Sequence, residues 1–180
     1  MNARLIRFAV VAGLALALSA CGFRPLFGRF GANPGAQQIF ASVYVEPIEL
    51  ERAGYELRNT MIDLLEARAK PETATYRLQI SLREAREGAA VQNQVVGGLN
   101  ESTITRYNYT LIADYVLTDR KGGVVTKGTE TTLSAYNVVS SPYATQVAQQ
   151  DAQRRAADDI AYRLRTDLGV FFAQKIGPTK

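Results

Sequence analysis

The strongest constraint on the fold is a mid-chain stretch in which apolar and polar side chains alternate strictly. Over residues 76–83 the apolar positions are Tyr76, Leu78, Ile80 and Leu82, and the polar positions are Arg77, Gln79, Ser81 and Arg83. Successive side chains of a β-strand point to opposite faces, so the pattern predicts a strand with one buried side and one solvent-facing side. A sheet that is wet on one face is typically antiparallel.

Three further strands are predicted. Residues 103–118 form a long one, whose one face carries Tyr107, Tyr109, Leu111, Ala113, Tyr115 and Leu117. Residues 119–123, Asp-Arg-Lys-Gly-Gly, predict a hairpin turn because glycine reaches positive φ without strain, and the threonine-rich residues 124–136 predict the returning strand. A short first strand is expected within residues 39–46, ahead of Pro47.

Two helices complete the pattern. Leu57, Met61, Leu64 and Leu65 recur at helical spacing, and Pro71 is expected to end that helix. A final helix should begin near Pro142 with Ser141 as its cap. Its apolar stripe comprises Tyr143, Val147, Ala152, Ala156, Ile160, Leu164 and Leu168. The order β-α-β-β-β-α predicts one α+β domain over residues 39–176, with two helices on one face of a four-stranded, mostly antiparallel sheet.

An uncharged segment separates the second and third predicted strands. Residues 88–100 contain three glycines and no charged side chain. Because 13 residues exceed most connections between neighbouring elements, we expect a loop that is either mobile or held by a partner.

The first residues are typical of an export signal. Arg4 and Arg7 precede an apolar run of 11 residues, which is shorter than the roughly 20 needed to cross a bilayer. The run ends in Leu-Ser-Ala before Cys21, which resembles the bacterial lipobox. We therefore expect a signal peptide over residues 1–20 and acylation of Cys21 on its sulfur and its new amino group. An ordinary signal peptide with an accidental cysteine, or a buried apolar helix, is the alternative.

The residues after Cys21 indicate where the protein is held. Residue 22 is glycine rather than the aspartate that resembles an inner-membrane retention signal, so we expect the periplasmic face of the outer membrane. Residues 21–38 contain glycine and proline without a sustained period, and predict a lipidated tether.

Composition excludes several kinds of function. The chain has no histidine and one cysteine, so Ser-His-Asp triads, Cys-His pairs and histidine-ligated metals are all excluded. The pairs Gly97-Gly98 and Gly122-Gly123 lack the context of a phosphate loop. Without Arg4 and Arg7, 19 basic residues face 17 acidic ones, which argues against nucleic-acid binding. We expect no enzyme activity, no metal and no cofactor beyond the lipid on Cys21.

Two groups of residues leave alternatives open. Tyr107, Tyr109 and Tyr115 fit either core packing or a contact surface for sugar, lipid or a partner barrel. Four basic residues fit either a basic edge that binds lipid phosphates or simple solubility and edge protection; they are Arg83, Arg86, Arg120 and Lys121.

Several short segments, taken in order, resemble the LptE family of lipopolysaccharide-assembly lipoproteins. They are residues 21–27 (Cys-Gly-Phe-Arg-Pro-Leu-Phe), 55–59 (Tyr-Glu-Leu-Arg-Asn), 105–107 (Thr-Arg-Tyr) and 134–137 (Ser-Ala-Tyr-Asn), with the alanine-rich final helix. The resemblance covers essentially the whole mature chain. It implies a fold of two helices on a four-stranded sheet and a role without catalysis.

The resemblance also implies partners. LptE proteins sit inside the β-barrel of LptD, assist its assembly, plug it and help to place lipopolysaccharide in the outer leaflet. Some members bind lipopolysaccharide through basic residues, for which the candidates here are Arg83, Arg86, Arg106, Arg120 and Lys121. Residues 88–100 depart from the family pattern, because better-known members carry an arginine there. A lipoprotein subunit of an ABC-type transport complex for phospholipid or solute is the alternative function.

Overall fold

The structure is a computed structural model that describes residues 34–97 and 99–175. Its elements are α1 (Pro34–Ala41), β1 (Val43–Val45), α2 (Glu51–Leu65), β2 (Tyr76–Val96), β3 (Leu99–Asp119), β4 (Val124–Asn137) and α3 (Pro142–Lys175). The four strands form one sheet in the order β1-β2-β3-β4, in which only β1 and β2 are parallel. The predicted α+β fold is confirmed, with α1 as an additional short helix. Cys21 and the predicted signal peptide lie outside the described residues.

The core lies between one face of the sheet and helices α2 and α3. From the sheet it takes alternate residues, as the period of two requires; they are Leu78, Ile80, Tyr109, Leu111, Ala113, Tyr115 and Leu117. The helices contribute Leu57, Met61, Leu65, Ala152, Ala156, Ile160, Leu164, Leu168 and Phe172. The alanines let α3 approach the sheet closely, and the opposite sheet face carries no helix among the described elements.

The N-terminal part of the domain differs from the prediction. The expected tether reaches residue 38 and the expected strand covers 39–46, whereas α1 occupies Pro34–Ala41 and β1 only three residues. Phe40 explains the difference, because its ring is buried against Phe172 with 6.0 Å between centroids. A helix brings Phe40 to that contact and leaves the alternating Val43 and Val45 to enter the sheet.

Helix α2 ends earlier than Pro71. The backbone N–H of Ala67 donates to the carbonyl of Ile62, and that of Glu66 donates to the carbonyl of Asp63. These two bonds form a Schellman motif, in which Glu66 holds the left-handed position at φ 49° that glycine usually occupies. The helix is therefore closed by its own backbone, and Pro71 lies in the following turn.

Residues 88–100 are not a loop, which corrects the prediction. They belong to an antiparallel pair in which Val91 lies opposite Ile104 and Val96 lies opposite Leu99. Only two residues separate the strands, and Gly97 has φ +62°. A Gly-Gly pair is a strong signal for a two-residue hairpin turn, so the sequence did contain this information.

Helix α3 begins as predicted but does not bury its whole expected stripe. The backbone N–H of Ala144 donates to Ser141 Oγ at 3.4 Å, in agreement with the predicted cap. Tyr143 and Val147 are 76% and 45% exposed, although both were expected in the core. The reason is the five-residue step from Val147 to Ala152, which turns the helix by about 500°, or about 140° beyond one full turn.

Candidate functional site

The most distinctive surface is a two-stranded ribbon that projects beyond the rest of the sheet. The last pair between β3 and β4 joins Arg106 and Asn137, so beyond it β2 and β3 pair only with each other among the described strands. Register shifts on both sides of Ala90 mark the base of this ribbon. Its strands continue for about seven residues, or about 23 Å. Val91 and Val95 on it are 55% and 70% exposed.

The start of α3 lies beside the base of the ribbon. The backbone N–H of Val138 donates to the carbonyl of Thr105 at 2.9 Å. Thr145 Oγ1 accepts from the backbone N–H of Val139 at 3.1 Å and donates to its carbonyl at 3.2 Å. These bonds hold the β4–α3 connection against the ribbon. We call residues 88–105 and 138–150 together the distal end.

The distal end carries almost no charge. Residues 88–105 contain one charged side chain, Glu101, and residues 138–150 contain none. Residues 138–150 are part of a longer stretch without charged side chains, residues 131–150. The predicted strand contains the first part of this stretch and the predicted helix its second part, so the sequence predictions did not identify it as one stretch. A scan for long uncharged windows would have found it. The fold brings both uncharged stretches to the same end of the domain.

A polar cluster fixes α3 where the ribbon leaves the core. Tyr109 is fully buried, and its hydroxyl donates to Glu84 Oε2 at 2.8 Å. Gln153 of α3 donates to the same oxygen at 3.5 Å. Burial raises the pKa of the Tyr109 phenol, and the bond to Glu84 raises it further. Above this cluster the rings of Tyr107 and Tyr136 stack with centroids 5.6 Å apart.

A second cluster joins the middle of α3 to β3 and β4. Tyr115 donates to Asp167 Oδ2 at 3.4 Å, and burial followed by the charge of Asp167 raises its pKa to about 12. Burial also raises the pKa of Glu130, and the neighbouring Asp167 adds to the rise. Both this tyrosine and Tyr109 belong to the core. The contact-surface interpretation is therefore wrong for these two residues, and the packing interpretation is confirmed.

The predicted basic residues do not form one basic edge. The guanidinium of Arg83 pairs with Asp114 at 2.7 Å, and Arg120 donates to the carbonyls of Thr73 and Ala74. The turn with Arg120 and Lys121 adjoins the start of β2, whereas Arg83 and Arg86 lie about 23 and 33 Å along that strand.

The strand register also separates the basic residues by face. Arg86 is opposite Tyr109 and shares its face, while Arg83 and Arg106 lie on the face without helices. The proposed basic edge is thus wrong as a single surface. Arg106, opposite Asn137 at the base of the ribbon, is the one of the five nearest the distal end.

Comparison with known families gives a match over most of this domain. A family model described as "LptE: Lipopolysaccharide-assembly" matches residues 40–168. The chain belongs to the LptE family. The match includes β1 to β4, α2 and most of α3, so the resemblance inferred from short segments is confirmed. A search of curated protein sequences finds no match.

Solved structures similar to this LptE-family chain include three that are described as lipoproteins. A protein of Caulobacter crescentus CB15 described as a lipoprotein is 28% identical with a TM-score of 0.61, over 78% of this chain and 97% of its own. A minor lipoprotein of Acinetobacter baumannii is 17% identical with a TM-score of 0.44, over 71% and 88%. Rare lipoprotein B of Shewanella oneidensis is 9% identical with a TM-score of 0.42, over 69% and 94%. Within residues 34–97 and 99–175, no helix is long and apolar enough to cross a membrane.

Proposed function

We propose that this LptE-family chain is a non-enzymatic outer-membrane lipoprotein that assists assembly of the LptD β-barrel and plugs it. In this role it supports insertion of lipopolysaccharide into the outer leaflet. The lipid on Cys21 anchors it at the periplasmic face. The observation that carries the proposal is the distal end with its projecting ribbon, in which Glu101 is the single charged side chain.

A ribbon with a single charged side chain, Glu101, and many polar uncharged ones suits the inside of a barrel. The lumen of an outer-membrane barrel is polar, and its wall is a closed sheet with side chains alternating inwards and outwards. A charged side chain that lost water in such a space would be strongly disfavoured unless it met a partner of opposite charge. The glutamine, asparagine, serine and threonine of residues 92–94 and 102–105 can instead exchange water for hydrogen bonds with polar walls.

The direction of the chain supports the same arrangement. The domain begins at α1, which packs through Phe40 against Phe172 near the end of α3. Phe172 in turn contacts Tyr76 at the start of β2, some 20 residues along that strand from the ribbon tip. The chain thus enters the domain at the end opposite the ribbon.

Of the five basic candidates for contact with lipopolysaccharide, Arg106 is the one that we propose first. Its position at the base of the ribbon places a cation beside the surface that would face the barrel. Arg83 is already paired with Asp114, and Arg120 with backbone carbonyls. Phosphate groups favour arginine because two parallel hydrogen bonds fit its planar fork.

Extraction in mild detergent followed by purification of the tagged chain tests the function. LptD as the stoichiometric partner supports the proposal, whereas an ABC-type transporter in its place supports the alternative. Val95→Lys adds a charge to the ribbon, and we expect it to reduce the yield of LptD several-fold. Val124→Lys is the matched control, since Val124 is 63% exposed on β4 at the other end. Equal losses with both variants would contradict the role of the distal end.

A further inference from the structure

Strand β2 has an open edge next to β1. β1 pairs only with Tyr76–Leu78, and the last bond runs from the backbone N–H of Glu46 to the carbonyl of Leu78 at 3.0 Å. The backbone groups of alternate residues in a strand point to the same side. Those of Ile80, Leu82 and Glu84 therefore point to the open edge, and no described backbone group bonds to them there. Such an edge is a template for another strand.

The chain leaves the sheet abruptly after β1. Pro47 lacks the N–H that a continuing strand would supply. Residues 46–50 then turn over α2, and Leu50 adopts φ 97°, a backbone conformation that costs about 1–3 kcal/mol in a residue other than glycine. This turn ends the strand early, and none of the strands in residues 34–97 and 99–175 pairs with this edge of β2 beyond Leu78.

Residues 46–50 form a tightly packed turn beside the open edge of β2. Gly54 of α2 lies so close beneath it that an added Cβ would be 2.8 Å from the carbonyl oxygen of Ile48 and 3.0 Å from that of Glu49. The backbone N–H of Gly54 also donates to the carbonyl of Leu50 at 2.7 Å. A groove of about 430 Å³ lies between this turn and the edge of β2. It is lined by Glu46, Pro47, Glu49, Leu50, Gln79, Ile80, Ser81 and Leu82. We call this the β2-edge groove.

We propose that the β2-edge groove binds an extended segment of a partner protein, which adds to the sheet as a strand beside β2. The unpaired backbone groups of Ile80 and Leu82 supply its hydrogen bonds, in the way that peptides add to sheet edges. Four β2 residues line the groove, so the segment engages over about 13 Å. This site is separate from the distal end and does not depend on the role proposed for it.

The lining also defines the chemistry of the segment. Two acidic residues, Glu46 and Glu49, line the groove. Glu46 already lies 3.8 Å from the guanidinium of Arg77, so a basic side chain of the segment is favoured beside Glu49. Alternate side chains of the segment face Ile80 and Leu82 on one side and Gln79 and Ser81 on the other. Apolar residues at every second position, with no proline, are therefore expected.

Amide exchange with a defined peptide tests the geometry. The probe is acetyl-Lys-Val-Thr-Val-Thr-Val-amide added to the full-length chain, and exchange is followed residue by residue by NMR. We expect exchange at Ile80 and Leu82 to slow at least ten-fold at saturation, while Gln79 and Ser81, already bonded to β3, change little. The same peptide with its three valine amides N-methylated is the control and should have no effect. Uniform slowing, or slowing at β4 instead, would overturn the proposal.

Charge variants test the chemistry of the groove. Glu49→Lys should weaken binding of the lysine peptide about three-fold, which is the scale of one exposed charge pair. Glu72→Lys reverses another exposed acidic charge, in the turn before β2, and should leave binding unchanged. If the Ile80 amide became protected from exchange at higher protein concentration without peptide, the groove would bind a second copy of this chain, and the proposal would be overturned. Protection that is lost when residues 22–33 are removed would overturn it in favour of the chain's own segment.

Discussion

Replacement of Gly128 by alanine should destabilise the domain through Tyr115. The two residues lie directly opposite each other on β4 and β3. A Cβ at residue 128 would be 2.8 Å from both Cε1 and the hydroxyl oxygen of Tyr115, and 2.9 Å from its Cζ. Ordinary contacts begin at about 3.4 Å, so the ring must move by about 0.6 Å. Tyr115 is only 6% exposed and bonds Asp167 of α3, which opposes that movement.

The size of the effect follows from two opposing contributions. Forcing an extra carbon into a packed site costs about 1–3 kcal/mol. Alanine regains about 0.5–1 kcal/mol because glycine loses more backbone freedom on folding. At the midpoints of these ranges, we expect Gly128→Ala to lower the free energy of unfolding by about 1–1.5 kcal/mol, and Tm by about 2–6 °C for a chain of this length.

Urea unfolding followed by far-UV circular dichroism measures this loss, with a double-mutant cycle to assign it. In a Tyr115→Ala background the ring is gone, so Gly128→Ala should be neutral or slightly stabilising. The reasoning is refuted if alanine at residue 128 is tolerated in the parent chain. It is equally refuted if the loss persists without the tyrosine ring.

Four further outcomes are expected. Folding raises the pKa of Tyr115 from 10.0 to about 12. The stability that the protonated phenol contributes should therefore be complete below pH 10 and lost as the pH rises towards about 12. Denaturant midpoints measured across that pH range test this expectation. Phe172→Ala should cost about 3–5 kcal/mol in the same assay, since this ring contacts Phe40, Tyr76 and Phe171. Glu66→Gly should raise the free energy of unfolding by about 0.5–1 kcal/mol by relieving the left-handed cap; a loss would mean that Glu66 side-chain contacts outweigh the backbone strain. Cys21→Ser should abolish incorporation of labelled palmitate, and labelling equal to that of the parent chain would exclude lipidation at this residue.

Local patterns in the sequence determined the fold class. Residues 76–83 alternate without exception, and a strand of that kind must have one buried face wherever it lies in the sheet. The turn at residues 119–123 contains its own stabilising group, because Asp119 Oδ1 accepts from the backbone N–H of Lys121 and of Gly123. Information within a few residues was enough for these elements. The family resemblance likewise rested on short segments in order.

Contacts between distant residues decided what the local patterns did not. Helix α1 is stabilised by the contact of Phe40 with Phe172, which lies 132 positions later in the chain. For this reason, no sequence pattern near residue 40 could indicate the helix. The five candidate basic residues lie within residues 83–121 of the sequence, but the structure places them on different faces and at different ends of the sheet. Strand register decides both the face on which a side chain lies and its position along the sheet.

The distal end and the β2-edge groove depend on tertiary structure for the same reason. The sequence shows that residues 88–100 are uncharged, but only the pairing of β3 with β4 shows that they project beyond the sheet. Pro47 indicates that β1 is short, but the groove exists because Gly54 brings α2 against the turn that follows. Composition and period determine what kind of element each segment forms. Where one strand ends relative to its neighbour, and thus which surface stays open, is set by packing across the whole chain.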